Sequence, residues 1–208
     1  MDKADRLARL YQQLEDAAAN LPLSSQASDI VPGEGNADAG VMLIGEAPGY
    51  HEHVQRRPFV GKSGQFLRQT LEEVGYPPAS VYISNIVKAR PPGNRDPAPA
   101  EIEAYKPFLD REIETIKPLL IVTLGRYSMA KFLSDVKISQ VHGRLHKVVW
   151  KDDIRFVLPM FHPAAGLRSS QVKDQFTTDF RRLGEIVGWI EQNKDRYQLH
   201  QHIENVLL

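Results

Sequence analysis

The chain contains no cysteine. Disulfides and thiolate metal sites are therefore excluded as supports for its fold. It also lacks a long apolar run. No stretch approaches the ~18 consecutive apolar residues of a membrane span. Met1 to Leu14 mix acids, bases and glutamine, so no secretory leader is expected and the expected compartment is the cytoplasm. No internal repeat or low-complexity tract interrupts the sequence. Net charge is absent as well: 26 Lys and Arg balance 26 Asp and Glu. That argues against a wholly basic nucleic-acid-binding surface, but not against a local one. Residues 1–49 carry three bases against eight acids, whereas residues 50–95 carry seven bases against three acids. A locally basic face suffices for phosphate contact, although the same counts also describe an ordinary solvated surface.

With 208 residues, the chain has the length of one α/β domain. Residues 2–19 read as an amphipathic helix, with Leu7, Leu10, Tyr11 and Leu14 at helical spacing. A polar, turn-rich stretch follows, so residues 1–30 are expected to form an N-terminal helix and turn. Short apolar runs at Val41 to Gly45, Val81 to Asn85, Leu119 to Leu124 and Phe156 to Phe161 read as four strands. Helical patterns cover Gly64 to Val74, Ala100 to Ile116, Tyr127 to Leu133 and Asp174 to Ile190. This alternation predicts a three-layer α/β/α domain with a central, mainly parallel four-stranded sheet. Residues 192–208 form a tail, either a docked helix or a partner contact. Ligands of such sheets bind at the carboxyl ends of the strands, where three segments of chemical interest are predicted to meet.

The first is Gly45-Glu46-Ala47-Pro48-Gly49, a sharp turn directly after a strand. Its glycines let backbone approach a ligand closely, though a structural loop has the same composition. The second runs from Asn85 through Lys88, Arg90, Pro91, Pro92, Gly93 and Asn94 to Arg95. Asn carries a donor and an acceptor, which suits the edge of a base, and the cations suit phosphates. A capping Asn before a merely basic loop is the plain alternative. The third is His162-Pro163-Ala164-Ala165-Gly166-Leu167-Arg168. His162 is either a structural histidine or a donor to developing negative charge. Leu167 beside Arg168 has the make-up of an apolar wedge next to a phosphate contact.

Two further motifs point elsewhere. Pro58-Phe59-Val60-Gly61-Lys62-Ser63-Gly64 is not a phosphate loop, because Arg56 stands where that pattern requires glycine. Phe59 is instead a candidate aromatic platform, or simply core. His51-Glu52-His53, like His200 and His202, has histidines two apart rather than the four apart of a helical zinc site, so no metal is expected.

Taken in this order, the segments resemble the uracil-DNA glycosylase superfamily, and most nearly its family 4. The resemblance is carried by Val31 to Asn36, Gly45 to Gly49, Pro58 to Gly61, Asn85 to Lys88, Arg90-Pro91-Pro92 with Asn94-Arg95, Leu124-Gly125 and His162-Pro163. It spans about residues 20–190. It implies a monofunctional DNA-repair enzyme that flips uracil out of DNA and hydrolyses its N-glycosidic bond, leaving an abasic site. By that likeness Phe59 stacks on uracil, and Asn85 pairs with its polar edge. Glu52 blocks the methyl group of thymine, and His162 stabilises charge on O2. Glu46, with Ala47 and Gly49 in its turn, places the attacking water. Lys62, Lys88, Arg90, Asn94, Arg95 and Arg168 contact DNA, while Leu167 fills the vacated stack. The expected partner is uracil-containing DNA, met by a monomer without any membrane.

Family 4 holds an iron–sulfur cluster on four cysteines. Alignment on the motifs puts those positions at Ala18, Leu21, Ala89 and Tyr105, none of which is a thiolate. A cofactor-free relative is therefore expected, with apolar packing at these positions. Arg56 and Arg57, just before Pro58, are expected to contact phosphate or alter the pocket mouth. Two other functions stay open: a glycosylase for another deaminated base, hypoxanthine or xanthine, and a module that binds uracil or abasic DNA without cutting.

Overall fold

The computed structural model describes the backbone of residues 1–206 and the side chains of residues 1–195. Among the described residues, strands β1 (Glu34–Gly35), β2 (Val41–Gly45), β3 (Tyr82–Asn85), β4 (Leu120–Leu124), β5 (His146–Trp150) and β6 (Asp153–Met160) form one sheet in the order β1-β3-β2-β4-β6-β5. Its four central strands are parallel, and they are the four expected from sequence. The two edge strands are antiparallel and were not expected. The first has only two residues. The second is half-exposed, with Val149 72% exposed, so it lacks the continuous apolar run that marks a buried strand.

Both faces of the central strands are buried, which is why they read as unbroken apolar runs. Val41, Leu43, Leu120, Val122 and Leu158 face helices α3 (Lys62–Glu73), α8 (Ser170–Arg181) and α9 (Leu183–Val206), meeting Leu67, Leu71, Phe176, Phe180 and Ile190. The alternate residues Met42, Ile44, Ile121 and Val157 face α1 (Lys3–Asp16) and α4 (Pro99–Ile116), meeting Leu7, Leu10, Leu109 and Ile113. The period-two alternation of strands thus creates two apolar layers, and the sheet is sandwiched between helices. The tail from residue 192 continues α9, and the side chains of His200 and His202 lie outside the described residues. No helix among the described residues is long and apolar enough to cross a membrane.

Strand β2 lies between β3 and β4, so the chain departs from it to opposite sides of the sheet. Such a switch point leaves a crevice at the strand ends. Short helices α2 (Tyr50–Gln55), α5 (Arg126–Ala130) and α7 (Pro163–Gly166) lie just beyond strands β2, β4 and β6, and a further short helix, α6 (Ile138–Val141), precedes β5.

Candidate active site

That crevice is a cavity of about 380 Å³. Glu46, Ala47, Gly49, Glu52, Phe59, Asn85, Asn94, Arg95, His162 and Arg168 all line it, although they come from five separate stretches of chain.

Asn85 ends β3 and is 3% exposed, with its Oδ1 buried and lacking a partner among the described residues. A buried acceptor left unpaired costs about 1–3 kcal/mol, so a donor on a ligand is the natural complement. Opposite it in the parallel register stands Gly45. A Cβ on Gly45 would run into Asn85 Oδ1 and the ring of Phe59. Glycine therefore lets the amide and the aromatic ring share one space.

Phe59 has a left-handed backbone, φ 54°, which is unfavourable for a bulky residue. Its surroundings hold it there. The Arg68 guanidinium donates to Phe59 O at 2.8 Å and Pro58 O at 2.9 Å, and binds Glu34 Oε1 at 2.9 Å. Arg57 also binds Glu34, at 2.6 and 2.9 Å, and its guanidinium chiefly keeps that carboxyl below the ordinary carboxylate range. Arg56 donates to Ile30 O at 3.0 Å and pairs with Glu15. Both arginines are engaged with the N-terminal segment and neither lines the cavity, which corrects the reading that they reshape its mouth.

Glu52 is buried, and its Oε1 accepts from the backbone N–H groups of Val60 (2.9 Å) and Gly61 (2.7 Å). These bonds fix the carboxylate as a rigid wall. They also commit it away from metal ligation, and no cluster of three potential metal ligands exists among the described residues.

Glu46 follows β2, and its Oε1 accepts from the N–H of Tyr127 at 2.9 Å, in the first turn of α5. Gly125 makes room for it: φ is 106°, and a Cβ there would overlap the Glu46 carboxylate. Burial raises the pKa of Glu46 above its ordinary value, the Tyr127 bond opposing. Asp96, the third carboxylate lining the cavity beside Glu46 and Glu52, accepts from Arg126 at 2.7 Å and from the Tyr127 hydroxyl at 3.1 Å. One residue, Tyr127, therefore holds Glu46 and Asp96.

His162 caps α7, its Nδ1 accepting from Ala164 N–H at 3.2 Å. Burial, helped by the charge of Arg168, pushes its pKa down to about 4. At neutral pH the ring is thus uncharged. With Nδ1 an acceptor, the proton sits on Nε2, leaving that nitrogen a donor.

Four sequence-predicted residues do not line the cavity. Lys62 is exposed at the start of α3, and Arg90 is half-buried above Tyr50. Leu167 is 50% exposed beside Arg168. Lys88 is the clear correction: it is 0% exposed, bonded to both oxygens of Glu112 at 2.8 and 2.7 Å. It cannot reach phosphate. Ser84 also donates to Glu112, at 2.8 Å, and Tyr11 joins the network through Glu112 and through Tyr82. The basic loop misled the reading because only its later cations face outward.

At the four positions aligned with cluster ligands, Ala18, Ala89 and Tyr105 are at most 1% exposed and pack with Leu14, Ile30 and Val87, with half-buried Leu21 against them. The Tyr105 hydroxyl donates to Pro22 O at 2.6 Å and meets Ser24 at 3.2 Å. These residues offer neither thiolates nor space, and so do not fit an iron–sulfur cluster.

Residues 32–183 match the family model described as the uracil DNA glycosylase superfamily. The chain belongs to this superfamily. The matched span contains every residue named above as lining the cavity. Curated relatives named Type-4 uracil-DNA glycosylase include one from Archaeoglobus fulgidus, 39% identical over 168 residues, covering 77% of this chain and 83% of that protein. One from Sulfurisphaera tokodaii is 41% identical, covering 76% and 75%. One from Pyrobaculum aerophilum is 39% identical over 183 residues, covering 83% and 90%. For this superfamily member, sequence reasoning missed Asp96, Tyr127, Arg68 and Glu34. Asp96 directly follows Arg95, and Glu34 lies within Val31 to Asn36, so both stood in or beside segments already singled out. Arg68 and Tyr127 carry no local signal.

Proposed function

We propose that this chain is a monofunctional uracil-DNA glycosylase, which flips uracil from DNA and hydrolyses its N-glycosidic bond. The carrying observation is the orphaned Oδ1 of Asn85 inside a cavity whose other wall holds Phe59. Uracil presents N3–H to that acceptor and O4 to the amide donor. Cytosine presents the reverse pattern and is rejected. Phe59 stacks on the ring, and Glu52 excludes the methyl group of thymine.

Bond cleavage leaves an anionic base and a cation-like sugar. His162, neutral with Nε2–H available, donates to O2 as charge develops there. The leaving base needs no strong acid because its charge is delocalised. Glu46, ionised, orients the water that captures the sugar. No lysine among the described residues lines the cavity, which supports hydrolysis over Schiff-base chemistry. Extrusion of the base costs a few kcal/mol, least where pairing is already lost. Leu167 occupies the gap, and Arg90, Asn94, Arg95, Arg168 and Lys62 contact the DNA.

We further infer that the enzyme works as a monomer without an iron–sulfur cluster. The apolar packing around Tyr105, which ties residues 18–24 to α4, supports the cluster-free reading. A strand-nicking assay on labelled DNA with one uracil, developed with alkali, tests the reading. Cleavage is expected at uracil and not at cytosine or thymine. Retained binding without cleavage would replace the enzyme by a binding module. Stoichiometric iron in the purified protein would refute the cluster-free reading.

A further inference from the structure

Two large apolar side chains stand exposed next to cavity-lining residues. Leu167, 50% exposed, adjoins Arg168, and Tyr50, 55% exposed, adjoins Gly49. Leu167 has a role in the proposal above; Tyr50 has none. The fold does not require an aromatic at Tyr50, since it opens the short α2 and is more than half exposed.

Its ring is nonetheless oriented. The Arg90 guanidinium lies over it, 5.2 Å from the centroid, and His51 meets it edge-on at 5.5 Å and 76°. Arg90 is itself fixed, its Nε donating to Asn94 Oδ1 at 2.7 Å, and Asn94 lines the cavity. An exposed aromatic ring held against a planar cation is the chemistry that stacks unpaired bases without regard to their identity. Charge agrees with that ligand through Arg90, which meets no carboxylate among the described residues, whereas Arg95 of the same loop is paired with Glu101.

We propose that Tyr50 and Arg90 form a stacking subsite for the unpaired base adjacent to the flipped nucleotide. The ligand class is single-stranded or locally melted DNA. The identity of the flipped base rests on the glycosylase reading; the subsite itself rests on Tyr50 and Arg90. In intact duplex that neighbour stays paired and stacked, so the subsite favours substrates that are already open.

The test compares wild type, Tyr50→Ala and Tyr50→Phe on a single-stranded oligonucleotide with one uracil, and on versions with an abasic spacer on either side of it. Tyr50→Ala is expected to raise KM roughly 10-fold on the intact strand with kcat within about twofold, while Tyr50→Phe matches wild type. A spacer on the contacted side is expected to weaken wild type equally and to erase its advantage over Tyr50→Ala. No loss in Tyr50→Ala, or a loss that both spacers leave unchanged, overturns the subsite. Photocrosslinking of wild type to DNA with 5-iodocytosine beside the uracil reads the contact without excision. An adduct on Tyr50 is expected, and none from either flank overturns the proposal. Absence of uracil excision would instead count against the glycosylase reading, leaving the crosslink to decide the subsite.

Discussion

Replacing Asn85 by alanine separates function from stability. Asn85 is 3% exposed with Oδ1 unpaired, so the folded protein already bears the cost of desolvating that oxygen. Deleting the amide removes this cost, about 1–3 kcal/mol, while opening a small cavity that costs a similar amount. The melting temperature is therefore expected to stay close to wild type. Catalysis behaves differently. In the proposed transition state the amide N–H donates to O4 of a base acquiring negative charge, worth about 1.5–3 kcal/mol, and Oδ1 accepts from N3–H, worth about 0.5–1.5 kcal/mol. Their loss, about 2–4.5 kcal/mol, lowers kcat/KM by roughly 30- to 2000-fold. Excision kinetics on single-uracil DNA, with thermal melts and binding to abasic DNA as controls, provide the assay. Abasic-DNA binding is expected to persist, because it does not use the base edge. A variant that melts much lower yet excises uracil within threefold of wild type would refute the reasoning, making Asn85 a structural cap. As a companion, Asn85→Asp presents only acceptors when ionised, and is expected to lose uracil activity and gain slow excision of cytosine.

His162→Ala removes one donor to the developing anion and is expected to raise the barrier by roughly 2–4 kcal/mol, read as single-turnover rate; an unchanged rate would make His162 structural. The acidic limb of kcat/KM is expected above pH 4.5, because burial raises Glu46 and the proposed mechanism uses its ionised form to orient water; a pH–rate profile in which Glu46→Gln keeps the same limb would contradict this. His162 adds a stability effect of definite sign. The folded ring protonates at about 4 and the unfolded one near 6.5, so its contribution is full above pH 6.5 and is lost as pH falls toward 4. The loss is about 3 kcal/mol over that window, measurable by denaturant melts of wild type and His162→Ala. Lys88→Met leaves Glu112 buried and unpaired, and is expected to destabilise by about 3–5 kcal/mol, with Lys88→Met/Glu112→Leu recovering much of it. The salt dependence of DNA binding is expected not to change in that double variant, since Lys88 touches no phosphate.

Much of the architecture was legible because the central strands are buried on both faces. Val41 to Gly45 and Leu119 to Leu124 therefore appear as unbroken apolar runs, and their spacing announces parallel pairing. The edge strands were not legible: Glu34–Gly35 is too short, and His146–Trp150 is half-exposed and mixed in character. That Glu46, Asn85 and His162 line the crevice could be read because the α/β fold puts strand ends there.

Residue types and their places along the chain were determined by sequence alone. No thiolate stands at Ala18, Leu21, Ala89 or Tyr105, and a donor–acceptor amide ends a strand at Asn85. Only the tertiary structure decided which charges are free and which are spent. A cation looks the same in sequence whether its side chain points to solvent or beneath a sheet. Lys88 and Arg90 are two residues apart, yet one is locked to Glu112 in the interior and the other lies over an exposed tyrosine. Glu112, Glu34 and Tyr127 come to Lys88, Arg68 and Glu46 from distant stretches. Their effects follow from distance and burial, which packing sets and sequence spacing does not.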